Sequence, residues 1–209
     1  MMGSTLTRVR LSLIDALAGL LLLQGCGTPV PETRVFTVDA DYGFIQGKET
    51  VHPVTLQVQS FTSSDVYSDR RIAWRENGSP YQVRLMDNNL WGSAPPRLAQ
   101  DQLAECIADS GLYRNVLTDG VAVQIDQVMN GELRRLEFLT DGQTISGAVL
   151  EINLVLTGRR PRELMWQGSF RYDVPVAANS ADAAVDAVIE AFRQFCTELV
   201  GTLEAVPPQ

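Results

Sequence analysis

A single histidine, His52, stands among 209 residues, and that scarcity removes most nucleophilic hydrolysis at once. A Ser–His–Asp or Cys–His arrangement would have to use it, and the sequence places no nucleophile beside it. It precedes Pro53 in what reads as a solvated loop. Metal-ligand spacings of the CxxC or HExxH kind are missing, as are Gly-rich phosphate loops, so neither a metal nor a bound cofactor is expected. Basic residues are outnumbered, 17 against 25 acidic, for a net charge of −8. Such a balance suits neither a nucleic-acid surface nor a polybasic membrane patch. No apolar run reaches the roughly 20 residues of a membrane-spanning helix. With 45% hydrophobic and only 20% charged residues, the chain folds rather than staying disordered.

What is present begins with an address. Arg8 and Arg10 precede an apolar run over residues 11–23 that Asp15 interrupts. A basic start, a short apolar stretch and a small-residue cleavage region read as an export signal. Leu23-Gln24-Gly25-Cys26 resembles the lipobox of bacterial lipoproteins, in which the cysteine thiol receives a diacylglyceryl group and becomes the new N-terminus. An ordinary secretory signal with an incidental Cys26, or a short buried helix, is the plainer alternative. Gly27 stands where the enteric sorting pattern permits passage to the outer membrane. The expected organisation is a signal peptide over 1–25, a lipidated tether over 26–32 carrying Pro29 and Pro31, and one globular domain over 33–206. Removing the signal leaves 15 basic and 24 acidic residues, a formal charge of −9.

Along the body, alternation predicts strands over 34–39, 54–61, 70–75 and 81–85, the last two joined through Asn77-Gly78. A helix is expected from Pro95 with Ser93 as a cap. Its stripe is Ala99, Leu103, Cys106, Ile107 and Ser110, and Gly111 closes it. Strands follow over 113–117, 121–129, 133–139, 146–157 and 164–174, with Asn130-Gly131 and Asp141-Gly142 as tight turns. From Ser180, Val185, Val188, Ile189, Phe192, Phe195, Cys196, Leu199 and Leu203 share one face of a long helix. The fold class is therefore α+β: a largely antiparallel or mixed sheet with two amphipathic helices on one face.

Cys106 and Cys196 remain once Cys26 is set aside. An exported chain meets an oxidising compartment, which makes them a disulfide candidate. Two separately buried thiols are the other reading, since cysteine packs as a small hydrophobe. Residues 67–75, with Tyr81 and Trp91 downstream, are dense in arginine and aromatics, the residue types of binding surfaces. Strand aromatics are also ordinary packing residues, and Asp69 has Arg71 within reach as a partner or can cap a turn.

The succession of Tyr67, Asp69-Arg70, Ile72-Ala73, Arg75, Tyr81, Trp91 and Pro95-Pro96 continues through Leu98, Leu103 and Ser110-Gly111-Leu112-Tyr113 to Val116. It resembles the auxiliary lipoproteins of Mce-type ABC transporters, relatives of the paraquat-inducible C lipoprotein. Trp166-Gln167-Gly168-Ser169-Phe170 and the alanine-rich C-terminal helix extend the likeness. That resemblance implies a non-enzymatic, periplasm-facing accessory at the outer membrane, in a lipid-trafficking system of inner-membrane permease, ATPase and Mce-domain proteins. Acyl chains on Cys26 would anchor it to the membrane. The implied partners are an Mce-domain protein with its ABC permease complex, or a second copy of the chain. Tyr67, Arg70, Trp74, Arg75 and Trp91 form the expected fold-defining or docking set, the two roles left together. An autonomous lipid carrier or outer-membrane assembly lipoprotein is the competing expectation, with its ligand held between helices and sheet.

Overall fold

Three long strands organise the molecule: β7 (Gln127–Asp141), β8 (Thr144–Arg159) and β9 (Arg162–Pro175). They run as an antiparallel meander, paired along nearly their whole length but for local register shifts. The other edge of β7 is longer than any one partner, and three short strands share it in turn. These are β2 (His52–Val58), β3 (Thr62–Ser63) and β4 (Arg71–Glu76), all parallel to β7. Outside β4 lie β5 (Arg84–Trp91), antiparallel, and then β1 (Arg34–Phe36), parallel to β5. β6 (Tyr113–Leu117) lies parallel outside β2. The computed structural model describes residues 31–45, 49–79, 81–119, 123–159 and 162–207. Cys26, the lipobox and nearly all of the 26–32 tether lie outside the described residues. The chain divides into two units, 1–32 and 33–209, and every described element belongs to the second.

The α+β class holds, and the sheet is mixed: five of its eight ladders are parallel, though the longest two are antiparallel. Helix α2 (Pro95–Ser110) packs on β6 and β7, and α3 (Ala181–Glu204) on β8 and β9, the two helices touching each other. A short helix, α1 (Asp65–Ser68), sits beside β7 and α2. Inward side chains of β8, from Ala148 through Leu150, Ile152 and Leu154 to Leu156, alternate with outward Glu151, Asn153 and Val155. The α3 stripe of Val188, Phe192, Phe195, Leu199 and Leu203 closes over them, all but fully buried. Ser180 caps α3 by accepting a hydrogen bond from the Ala183 amide at 3.1 Å. Gly111 ends α2 at φ 75°, the left-handed conformation that glycine adopts without penalty.

Four local expectations are corrected. Asn130-Gly131 is no turn but the interior of β7. Glycine is needed there because a Cβ would lie 2.2 Å from the Phe61 ring. Residues 123–126 stay outside the sheet, and 121–122 fall outside the described residues. The hairpin turn at Gly78 (φ 89°) is present, but its second strand starts at Arg84, because Ser79 and Gln82 prolong the turn. Ala94, not Ser93, occupies the cap of α2. Pro95 and Pro96 carry no N–H, so a capping side chain has little to accept there.

Candidate functional site

Glu137 lies mid-way along β7 on the face away from the long helices, its side chain fully buried. A buried carboxylate is tolerated only when charges and donors surround it. Here Tyr67, delivered by α1, donates its hydroxyl to Oε2 at 2.5 Å. Arg75 from β4 donates Nε to Oε1 at 2.9 Å and Nη2 to Oε2 at 3.3 Å. Arg135 donates Nε to Oε1 at 2.9 Å and adds a second bond through Nη2. Burial pushes the Glu137 carboxyl up, but these hydrogen bonds and the two guanidinium charges outweigh it and hold the group below the usual glutamate range. Burial, reinforced by the adjacent Glu137, pushes the Tyr67 phenol up to about 12.

The strand beside Glu137 is irregular. Leu133 pairs with Ile152 and Arg135 with Glu151, leaving Arg134 as an extra residue. A bulge of this kind re-aims side chains, so Arg134 and Arg135, which would straddle a regular strand, both line one cleft. The cleft measures about 250 Å³ and is also lined by Ser64, Tyr67, Arg75 and Glu132. A wider groove of about 580 Å³ continues over the sheet past Asn130, Asn153, Gln167 and Ser169.

The sequence-expected set separates into two kinds of residue. Tyr67 and Trp91 are buried, Trp91 completely, with its ring edge-on to Phe138 at 6.1 Å. Both are core-building side chains, and Arg75 is the partner of Glu137. Arg70 is exposed and ties β4 to β5, donating Nε to the Trp91 carbonyl at 3.0 Å. Trp74 is half-buried beneath the Arg84 guanidinium, 5.2 Å from the ring centre. Asp69 both pairs with Arg71 at 2.7 Å and accepts from its amide at 2.8 Å. Cys106 and Cys196 are joined in a buried disulfide that bolts α2 to α3.

His52 corrects the sequence reading most plainly. It opens β2 and is 1% exposed rather than a loop residue in solvent. Its Nε2 donates to the Leu203 carbonyl of α3 at 3.0 Å, and its ring stacks on Tyr113 at 4.6 Å. Leu203 is 151 residues away, so nothing local announces that partner. Glu137, Arg134 and Arg135 were missed as well. Their alternation with Leu136 and Phe138 reads as an ordinary solvated strand face, and only the bulge and α1 make it otherwise.

Residues 45–200 match the family described as the ABC-type transport auxiliary lipoprotein component. The chain belongs to that family. No curated protein matches it in sequence. In fold it is similar to a crystal structure from Xanthomonas campestris at 19% identity and a TM-score of 0.71, over 82% of this chain and 94% of that one. A crystal structure of an uncharacterized protein is similar at 13% identity and a TM-score of 0.65, over 83% and 99%. Family membership assigns it to the lipoprotein components that assist ABC-type transport.

Proposed function

We propose that this chain is a non-enzymatic accessory of an Mce-type ABC lipid transport system, held at the outer membrane by acyl chains on Cys26 and facing the periplasm. The observation that carries the reading is the family match over most of the folded body. The lipobox, with Gly27 after the cysteine, supports the anchor and its destination. Two or more acyl chains at about 0.8 kcal/mol per buried methylene hold a protein on a bilayer almost permanently. Arg70 and the exposed edge of Trp74 form the docking patch for an Mce-domain protein, because within the expected docking set Arg70 is exposed and Trp74, though packed against the core, is only half-buried. The carrier alternative places lipid between helices and sheet, a space that Ile107, Leu133, Leu150, Phe192 and Phe195 fill.

The test is affinity purification of a C-terminally tagged full chain from mild detergent, with associated proteins identified by mass spectrometry. An Mce-domain protein or its permease should be recovered, and the pair Arg70→Glu and Trp74→Ala should lose it while the variant stays folded by circular dichroism. Recovery of the lipoprotein alone, still carrying phospholipid, would replace this reading with the autonomous carrier. Cys26→Ser should abolish labelling by radioactive palmitate; a labelled variant would refute the anchor.

A further inference from the structure

We propose that the cleft beside α1 binds a phosphate group, gripped by Arg134 and Arg135 of the β7 bulge with Arg75 behind them. The site is independent of the transport reading, since it rests on the cleft alone.

Three arginines facing one small cavity are unusual on a chain whose net charge is −8. The bulge between Leu133 and Arg135 is what brings two consecutive guanidinium groups to the same side. Bulges recur beside functional sites because they turn a side chain that regular pleating would send to the other face. Arg135 is held in place by Glu137 through Nε and Nη2. Its Nη1 makes no hydrogen bond among the described residues, and its side chain is only 21% exposed. Arg134 uses Nη1 alone, on Glu132 at 2.9 Å, and is half exposed. A guanidinium has five N–H donors, so both forks keep donors to offer while their positions are already fixed.

The carboxylates nearby do not fill this role. Glu137 sits behind the arginines and is saturated by Tyr67, Arg75 and Arg135. Glu132 lines the rim and is partnered by Arg134 and Asn153. Glu151 stands opposite Arg135 on β8 and its charge reaches Arg134, but it is bonded to Arg171 and, like Asp173, stays outside the cleft lining. With Glu132, Glu137 and Glu151 all near the three guanidinium groups, what the cleft offers an anion is the unused fork donors of Arg134 and Arg135 rather than an excess of charge. Planar forks recognise phosphate and carboxylate oxygens in pairs. A tetrahedral phosphate offers an oxygen pair to each of two convergent forks, which a single planar carboxylate does not. Ser64 at the rim has a hydroxyl to donate to a further oxygen. The phosphate can belong to a free anion or to a phospholipid headgroup entering from the open groove beside Asn130 and Asn153.

The experiment is calorimetric titration of the full-length lipoprotein in uncharged detergent, with inorganic phosphate and, separately, with dihexanoyl phosphatidylglycerol. Saturable one-site binding of at least one probe is expected. Arg135→Gln should weaken it about tenfold or more, and Arg134→Gln by roughly three- to tenfold, as expected for lost charge-assisted hydrogen bonds. Arg171→Gln should leave affinity unchanged. Arg134 lies outside the Glu137 cluster, so its variant serves if Arg135→Gln does not fold. Binding of phosphate alone marks a free-anion site; lipid that binds and competes with phosphate marks a headgroup site, and either upholds the proposal. No saturable binding of either probe, or affinity untouched by Arg134→Gln in a folded protein, overturns it.

Discussion

Glu137 concentrates the interactions of three side chains on one carboxylate. It is fully buried, and two arginines and a phenol satisfy it. Removing one partner of such a group leaves uncompensated buried charge, so Glu137→Ala should cost about 3–5 kcal/mol in urea unfolding. A loss below 1 kcal/mol would mean that Arg75 and Arg135 relax to solvent. The same residue sets the acid response. Its folded-state value lies below the ordinary 4.5, so its contribution is complete above about pH 4.5 and drains away as pH falls through the depressed value. Tyr67 acts at the other end: with its phenol raised to about 12 from 10, its contribution is whole below pH 10 and fades as pH climbs through 12. Between pH 7 and 3 the wild-type protein should therefore lose more stability than Glu137→Gln, whose side chain does not titrate. Parallel curves for the two proteins would rule this out.

At the scale of the elements, periodicity carried most of the information and contacts distant in sequence carried the rest. The helix stripes at Leu103, Ile107, Phe192 and Leu199 were legible because helical spacing is local. So were the paired strands around Asp141-Gly142, whose glycine has a φ of 61°. Asn130-Gly131 has the composition of a turn, yet β7 runs through it because Phe61 lies across the strand and only glycine leaves room. Gly131→Ala should thus destabilise the fold by about 1–3 kcal/mol through overpacking. That penalty should vanish in a Phe61→Ala background, and a double mutant whose costs simply add would place the strain elsewhere. Of the candidate site, Tyr67 and Arg75 were legible as unusual, whereas Arg134, Arg135 and Glu137 were not, because a bulge has no reliable local signature. His52 is the parallel case for α3. Its imidazole adds a second donor to the Leu203 carbonyl in the last turn of α3, which also accepts from the Val206 amide at 3.2 Å. His52→Ala should cost about 2–3 kcal/mol, from the lost hydrogen bond and the cavity beside Tyr113. It should also speed amide exchange in the last turn of α3; unaltered exchange there would count against the clasp.

For the folded body as a whole, the question is what keeps two helices far apart in sequence side by side on one sheet. α2 covers β6 and β7 while α3 covers β8 and β9, so each has its own floor and the seam between them is the exposed weakness. The Cys106–Cys196 bridge closes that seam across a separation of 90 residues. In the chain-entropy account, closing a loop of this length restricts the unfolded ensemble by roughly 4–5 kcal/mol. Intact mass under non-reducing conditions should accordingly be lighter by two hydrogens than after reduction. Reduction in guanidinium titrations should lower the midpoint. It should also steepen the slope, because an uncrosslinked unfolded chain exposes more surface. The substitution Cys106→Ala with Cys196→Ala should reproduce the lower midpoint and become insensitive to reductant. Equal midpoints for oxidised and reduced protein would show that the packed faces of Phe192, Phe195 and Ile107 hold the seam unaided. An envelope compartment that keeps the bridge oxidised would then add nothing to the fold, whereas a lowered midpoint ties this body's stability to the oxidising side of the membrane.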